Sequence, residues 1–147
     1  MRYTVQIGKV ETMKTTQYKR EKGFTLIEVM VVLAIVAILL ALAYPSYVDY
    51  VRKSNRGDAQ QLLMNWSVNQ EIWRANNPQY ATVAQLPAPT ADNYDLTIGN
   101  RSGTTYTLTA TAKSGNDQNN DEARNGQSCA TLTLDQNGAK TPAECWE

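Results

Sequence analysis

A lone carboxylate, Glu28, lies inside the longest apolar run of this chain, where a charge needs a chemical explanation. The run covers residues 24–44 and contains no other charged side chain. On insertion scales, a charge at the centre of a membrane helix costs about 2.5–3.5 kcal/mol. A charged residue kept at that cost is a functional residue by default, and we expect it to have a partner of opposite charge.

The apolar run itself is long enough to cross a membrane as a helix. Its 21 residues span roughly 30 Å at ~1.5 Å per residue, which matches the hydrocarbon core of a bilayer. Residues 1–23 carry six basic and two acidic residues, a net charge of +4, whereas residues 24–147 carry eight and twelve, a net charge of −4. Because the positive excess precedes the run, we predict that the leader stays in the cytoplasm and the rest lies outside.

Composition excludes several functions. The chain has no histidine, which removes histidine acid–base chemistry and most zinc sites. We therefore expect no catalytic residue, no metal and no cofactor. The acidic balance after residue 23 argues against a generic nucleic-acid-binding surface, so no specific nucleic acid is predicted as a partner.

Two simpler interpretations compete for the apolar run. The sequence Ala41-Leu42-Ala43 resembles the cleavage site of an ordinary secretory signal peptide. However, the run before it spans 17 residues and contains Glu28, whereas the apolar part of such peptides spans ~7–15 residues. A plain single-span anchor explains the hydrophobicity and the orientation, but it does not explain Glu28.

The stretch Lys22-Gly23-Phe24-Thr25-Leu26-Ile27-Glu28-Val29 resembles the processing site of type IV pilins. In that family a dedicated peptidase cuts after the glycine and the new N-terminal phenylalanine is N-methylated. The resemblance implies cleavage after Gly23, methylation of Phe24 and an assembly role for Glu28. Leaders of type IVa pilins are short, so translation from Met13, giving an 11-residue leader, fits the family better than translation from Met1.

Cleavage after Gly23 would give Phe24 an α-ammonium at a helix N-terminus, with Glu28 four residues further on the same face. Between parallel helices that are staggered along their axes, Glu28 of one subunit could reach the ammonium of the next. A charge in lipid is far less costly when it is paired. Pairing would therefore recruit subunits into a filament.

The pattern beyond the membrane predicts an α+β fold, and the resemblance implies that this is the type IV pilin fold. A helix over 24–76 is expected, loosened by Pro45 and ended by Asn77-Pro78. We predict three segments: a leader (1–23), a membrane and filament-core helix (24–53) and a headgroup (54–147). The helical stripe that should cover the headgroup core comprises Ala59, Leu62, Leu63, Trp66, Ile72 and Trp73.

Alternating residues after the helix predict an antiparallel sheet of three to four strands. The strands should run near 94–98, 106–112, 130–134 and 139–141, and the connector before them should be pinned by Tyr80, Val83 and Leu86. Cys129 and Cys145, placed outside the cytoplasm, are expected to form a structural disulfide. The Asn/Asp-rich segment 114–126 is expected to be a solvated loop rather than a calcium site.

The resemblance implies a type IVa prepilin, and the segment from Cys129 to Trp146 is most similar to minor pilins. Its expected partners are other pilins, the prepilin peptidase and methyltransferase, and the inner-membrane assembly platform. It would wait in the bacterial inner membrane with a periplasmic headgroup and then enter an extracellular pilus. Expected roles are pilus assembly and hence twitching, adhesion or DNA uptake; the alternative is a type II secretion pseudopilin, which shares the N-terminal motif.

Overall fold

The computed structural model describes residues 23–146, so the predictions about the leader, including initiation at Met13, fall outside the described residues. The chain divides into two compact units between Ile38 and Leu39. The described part of the first unit is the start of the long helix, and its side chains are exposed.

The helix α1 (Leu26–Arg74) has 49 residues, slightly fewer than predicted at both ends. It continues through Pro45, so the proline does not end it. At its C-terminus the Asn77 side chain donates a hydrogen bond to the Trp73 carbonyl at 2.8 Å, and Pro78 disfavours a further turn. Among the described residues, α1 is the one helix that is long and apolar enough to span a membrane.

The second half of α1 packs one face against the headgroup. Ala59, Leu63 and Trp66 are buried as predicted. Ile72 was predicted on this stripe, but it is 62% exposed, so that prediction is wrong. The buried face instead passes through Gln70, because a helix turning every 3.6 residues reaches position 70 after position 66.

Four antiparallel strands form a single sheet in the order β1-β2-β3-β4. They are β1 (Tyr94–Gly99), β2 (Thr107–Ala112), β3 (Thr131–Asp135) and β4 (Lys140–Thr141). Leu96, Ala110 and Leu132 face one another across three strands, which fixes the register of the buried face. The predicted α+β class and antiparallel sheet are confirmed.

The headgroup core lies between this sheet and α1. Trp66, Tyr94 and Tyr106 are its largest buried side chains, joined by leucines and alanines from three strands. Tyr80 is buried and its ring meets Tyr106 edge to face at 4.6 Å between centroids. Val83 was predicted to pin the connector, but it is 47% exposed, so that prediction is wrong.

Candidate functional site

Phe24 and Glu28 line the same shallow groove at the start of α1. The groove measures about 250 Å³, and its other lining residues are Val29, Val32 and Leu33. Phe24 precedes the first helical residue and is 83% exposed. The structure thus brings together the two residues that the sequence selected for assembly, in surroundings that are otherwise apolar.

Thr25 is a residue of this region that the sequence reasoning missed. Its hydroxyl accepts a hydrogen bond from the Glu28 backbone N–H at 3.3 Å, and its carbonyl accepts the first helical bond from Val29. The spacing Thr-x-x-Glu before an apolar run is a helix-start signal that was visible in the sequence. Glu28 also lies at the positive end of the helix dipole, which stabilises a carboxylate there.

Cys129 and Cys145 form the disulfide, with an S–S distance of 2.07 Å and 5.6 Å between their Cα atoms. Both are fully buried, and they join the residues before β3 to a short 3₁₀ helix, Ala143–Trp146. The Gln60 side chain donates to the Cys145 carbonyl at 2.6 Å. The bridged segment is therefore held to α1 as well as to the sheet.

Two acidic side chains of the Asn/Asp-rich segment 114–126 pair with arginines of α1. Arg52 donates to both Asp117 oxygens at 2.8 and 2.9 Å, and Arg56 donates to both Asp121 oxygens at 3.1 and 3.2 Å. Gln118 adds a hydrogen bond to the Arg52 carbonyl at 3.0 Å. No group of three or more acidic, cysteine or histidine side chains able to hold a metal occurs among residues 23–146.

The two ion pairs of this segment differ in exposure. The hydrogen bonds from Arg52 lower the pKa of the exposed Asp117 carboxyl below its ordinary value. Burial raises the pKa of Asp121, and the charge of Arg56 opposes that rise. Arg56 and Asp121 are both buried, so water screens the attraction between their charges only a little. The Arg52–Asp117 pair, called the outer pair below, is more exposed and is screened more strongly.

A second cleft lies where α1 ends, and no carboxylate lines it. It measures about 230 Å³ and is lined by Trp73, Asn77, Pro78, Gln79, Tyr80, Thr82, Gln85 and Arg101. The three larger clefts described in the headgroup each have at least one Asp or Glu in their lining. A carboxylate does touch one lining residue, since Glu71 accepts a hydrogen bond from the Tyr80 hydroxyl.

Three separate elements build this cleft. Arg74, in the last turn of α1, donates to the Gly103 carbonyl at 2.6 Å in the turn between β1 and β2. Arg101 in the same turn donates to the Tyr80 carbonyl and the Gln79 side chain. A Cβ at Gly103 would lie 3.1 Å from the Pro78 carbonyl, so glycine permits the close approach. Arg74 also donates to the Asn77 carbonyl, and each of the two guanidinium groups still has N–H donors that bind no described residue.

The fold is that of type IV pilins. A solved structure of a type IV pilin from Shewanella oneidensis superposes with a TM-score of 0.50, covering 65% of this chain and 98% of that chain at 24% identity. At that identity the likeness concerns the fold. A model of the prokaryotic N-terminal methylation motif matches residues 18–44, which include Gly23, Phe24 and Glu28.

A second model, described as type IV minor pilin ComP, DNA uptake sequence receptor, matches residues 45–133. The chain belongs to this family of type IV pilins. It is 35% identical over 102 residues to the fimbrial protein EcpC of Eikenella corrodens, covering 64% of each chain. It is 38% identical over 79 residues to the type IV major pilin protein PilE1 of Neisseria gonorrhoeae, covering 49% of this chain and 35% of that one. The match thus spans less than two thirds of either relative.

Proposed function

We propose that this chain is a minor subunit of a type IV pilus that takes part in DNA uptake. The observation that carries the proposal is the family match over 45–133, which covers most of the headgroup and whose description names a DNA uptake sequence receptor. The relatives are structural pilins, so the chain acts by assembly and binding, without catalysis.

The assembly half of the proposal concerns the N-terminus. The prepilin peptidase cuts after Gly23 and methylates Phe24, and the subunit waits in the inner membrane with its headgroup in the periplasm. The assembly platform then moves it into the pilus. There Glu28 pairs with the Phe24 ammonium of a neighbouring subunit, because a paired charge in an apolar core costs less than an isolated one. Pro45 marks the exit from the apolar segment, and the headgroup begins at about residue 54.

The binding half of the proposal concerns the cleft at the end of α1. Phosphate contacts dominate the affinity of proteins for DNA, so a binding surface needs cations without adjacent carboxylates. Arg101 supplies such a cation in the cleft, and the free amide N–H groups of Gln85 can donate to base edges. The net charge of −4 after residue 23 does not exclude this site, since the other headgroup clefts are lined by carboxylates and this one is approached only by Glu71, through its hydrogen bond from Tyr80.

DNA binding to the purified mature chain in detergent tests this half. Labelled duplex DNA is titrated at several salt concentrations. The Arg101→Gln variant should bind more weakly, and the slope of log affinity against log salt should shrink by about 1, the loss of one phosphate contact. Arg101→Lys should keep the slope. Lys140→Gln, which removes a cation over the Trp146 ring and outside the cleft, is the control. Equal slopes for all four proteins would refute the site.

Deletion of the gene separates the proposed role from that of a pseudopilin. The proposal predicts a loss of DNA uptake in cells that still secrete their type II substrates. A loss of secretion with normal DNA uptake would show that the chain works in a secretion pseudopilus instead.

A further inference from the structure

A polar groove lies between the middle of α1 and the loop that precedes β3. Two adjoining clefts of about 360 and 450 Å³ form it, and both are lined by Lys53, Arg56, Ala123 and Arg124. Glu144 lines the first cleft, and Tyr50, Arg52 and Glu122 line the second. Helix α1 and the loop before β3 therefore face each other across a space large enough for a small polar group.

The charges of this groove are only partly used within the protein. Arg56 is bound to Asp121, and Arg52 is bound to Asp49 and Asp117. Lys53 and Arg124 form no ion pair with any residue between 23 and 146, nor do Glu122 and Glu144. Within the described part of the chain, the groove therefore offers two cations and two carboxylates that form no ion pair, an arrangement that complements a ligand with both a negative and a positive group.

The groove also lies close to the level of lipid headgroups. Lys53 follows Tyr44, the end of the apolar run, by nine residues, or about 14 Å along the helix. Its Cβ is tilted back toward the helix N-terminus, and lysine side chains extend toward the membrane surface. Tyr47 and Tyr50, both exposed, lie between the two levels and are of the type enriched at membrane interfaces.

We propose that this groove binds the headgroup of an ethanolamine phospholipid while the subunit waits in the membrane. The lipid phosphate lies between the Lys53 ammonium and the Arg124 guanidinium, whose planar fork suits phosphate oxygens. The lipid ammonium meets the Glu144 carboxylate. This inference rests on the membrane placement in the proposed function. It adds a lipid contact that holds the headgroup at the bilayer and is given up when the subunit is extracted.

Native mass spectrometry of the full mature chain, released from nanodiscs with equal amounts of phosphatidylethanolamine, phosphatidylcholine and phosphatidylglycerol, tests the proposal. Phosphatidylethanolamine should be retained preferentially, because phosphatidylcholine lacks ammonium N–H donors and phosphatidylglycerol lacks the positive group. Lys53→Gln with Arg124→Gln should lower total retention about tenfold, the effect of losing charged hydrogen bonds. Glu144→Gln should remove the preference for phosphatidylethanolamine over both other lipids and change total retention far less. Lys140→Gln, outside the groove, should change neither quantity.

Several outcomes would overturn the proposal. Equal retention of all three lipids, or preference for phosphatidylglycerol, would contradict the proposed pairing of the lipid ammonium with Glu144. Displacement of the lipid by millimolar inorganic phosphate or by duplex DNA would assign the groove to those anions instead. Failure of the chain to enter nanodiscs would refute the membrane half of the proposed function as well, whereas entry without selective retention would refute this inference alone.

Discussion

Replacement of Asp121 by alanine should destabilise the headgroup strongly, because it leaves the guanidinium of Arg56 buried without a counter-charge. Arg56 retains only 7% of its side-chain exposure and Asp121 only 4%. Two hydrogen bonds at 3.1 and 3.2 Å join them, one to each carboxylate oxygen. The pair also ties α1 to the Asn/Asp-rich segment 65 residues further along the chain.

The expected loss follows from burial. Removal of one partner of a buried ion pair costs about 3–5 kcal/mol, because the remaining charge keeps little contact with water. The free energy of unfolding of a small domain is only about 5–15 kcal/mol, so such a loss is a large share of its stability. The double variant Arg56→Met with Asp121→Leu removes both charges and should recover most of the stability, as apolar replacements of buried pairs do.

Urea unfolding of the mature chain in detergent, followed by tryptophan fluorescence, measures the loss. Trp66 is 1% exposed in the core, so its emission should report the opening of the headgroup. The matched control is Asp117→Ala, which removes the exposed carboxylate of the outer pair from the same segment and should change the midpoint far less. The slope m should stay constant across the series, since the same surface is exposed.

An Asp121→Ala midpoint equal to that of Asp117→Ala would refute this reasoning, because burial would then make no difference to the two pairs. A double variant as unstable as the single one would also contradict it. That result would mean that the segment is held by the shape of the side chains rather than by their charges.

Three further predictions concern the N-terminus and the core. Gly23→Val should block maturation, because the peptidase must accept the residue before the cut; a normal mass shift in the valine variant would contradict this. Glu28→Leu should insert into membranes at least as well as the wild type but co-purify less with other pilins, and unchanged co-assembly would refute the pairing. Burial raises the pKa of Tyr94 and of Tyr106 to about 12, against about 10 in the unfolded chain. Their stabilising contribution is therefore complete below pH 10 and lost as the pH rises toward 12. Alkaline unfolding followed by phenolate absorbance should show this loss, and Tyr94→Phe should reduce it; stability that is flat from pH 9 to 12 would contradict the burial effect.

The strands were predictable from the sequence because alternation of apolar and polar residues has a period of two and sets the buried face directly. Leu108, Ala110 and Ala112 lie on that face, as expected. The helix was predicted less well at its buried face. Gln70 is fully buried because its side chain binds both the N–H and the carbonyl of Ala81, at 2.8 and 3.3 Å. The sequence alone does not show that a glutamine on an apolar stripe will find such a backbone partner, so its burial could not be predicted.

The N-terminal motif could be identified because its residues are adjacent in sequence. The cleft that contains Arg101 could not, since it combines the end of α1, the connector and the turn between two strands. The pairs Arg52–Asp117 and Arg56–Asp121 each join residues 65 apart. The overall acidic charge did not point to the proposed nucleic-acid surface, because a sum over the chain cannot show which cations lie away from carboxylates.

The most direct test of the account is the intact mass and N-terminal sequence of this protein purified from sheared pili. The account predicts a chain that begins with N-methylated Phe24 and has lost everything through Gly23. A chain in pili that keeps its basic leader, or one that begins at Tyr44, would contradict it.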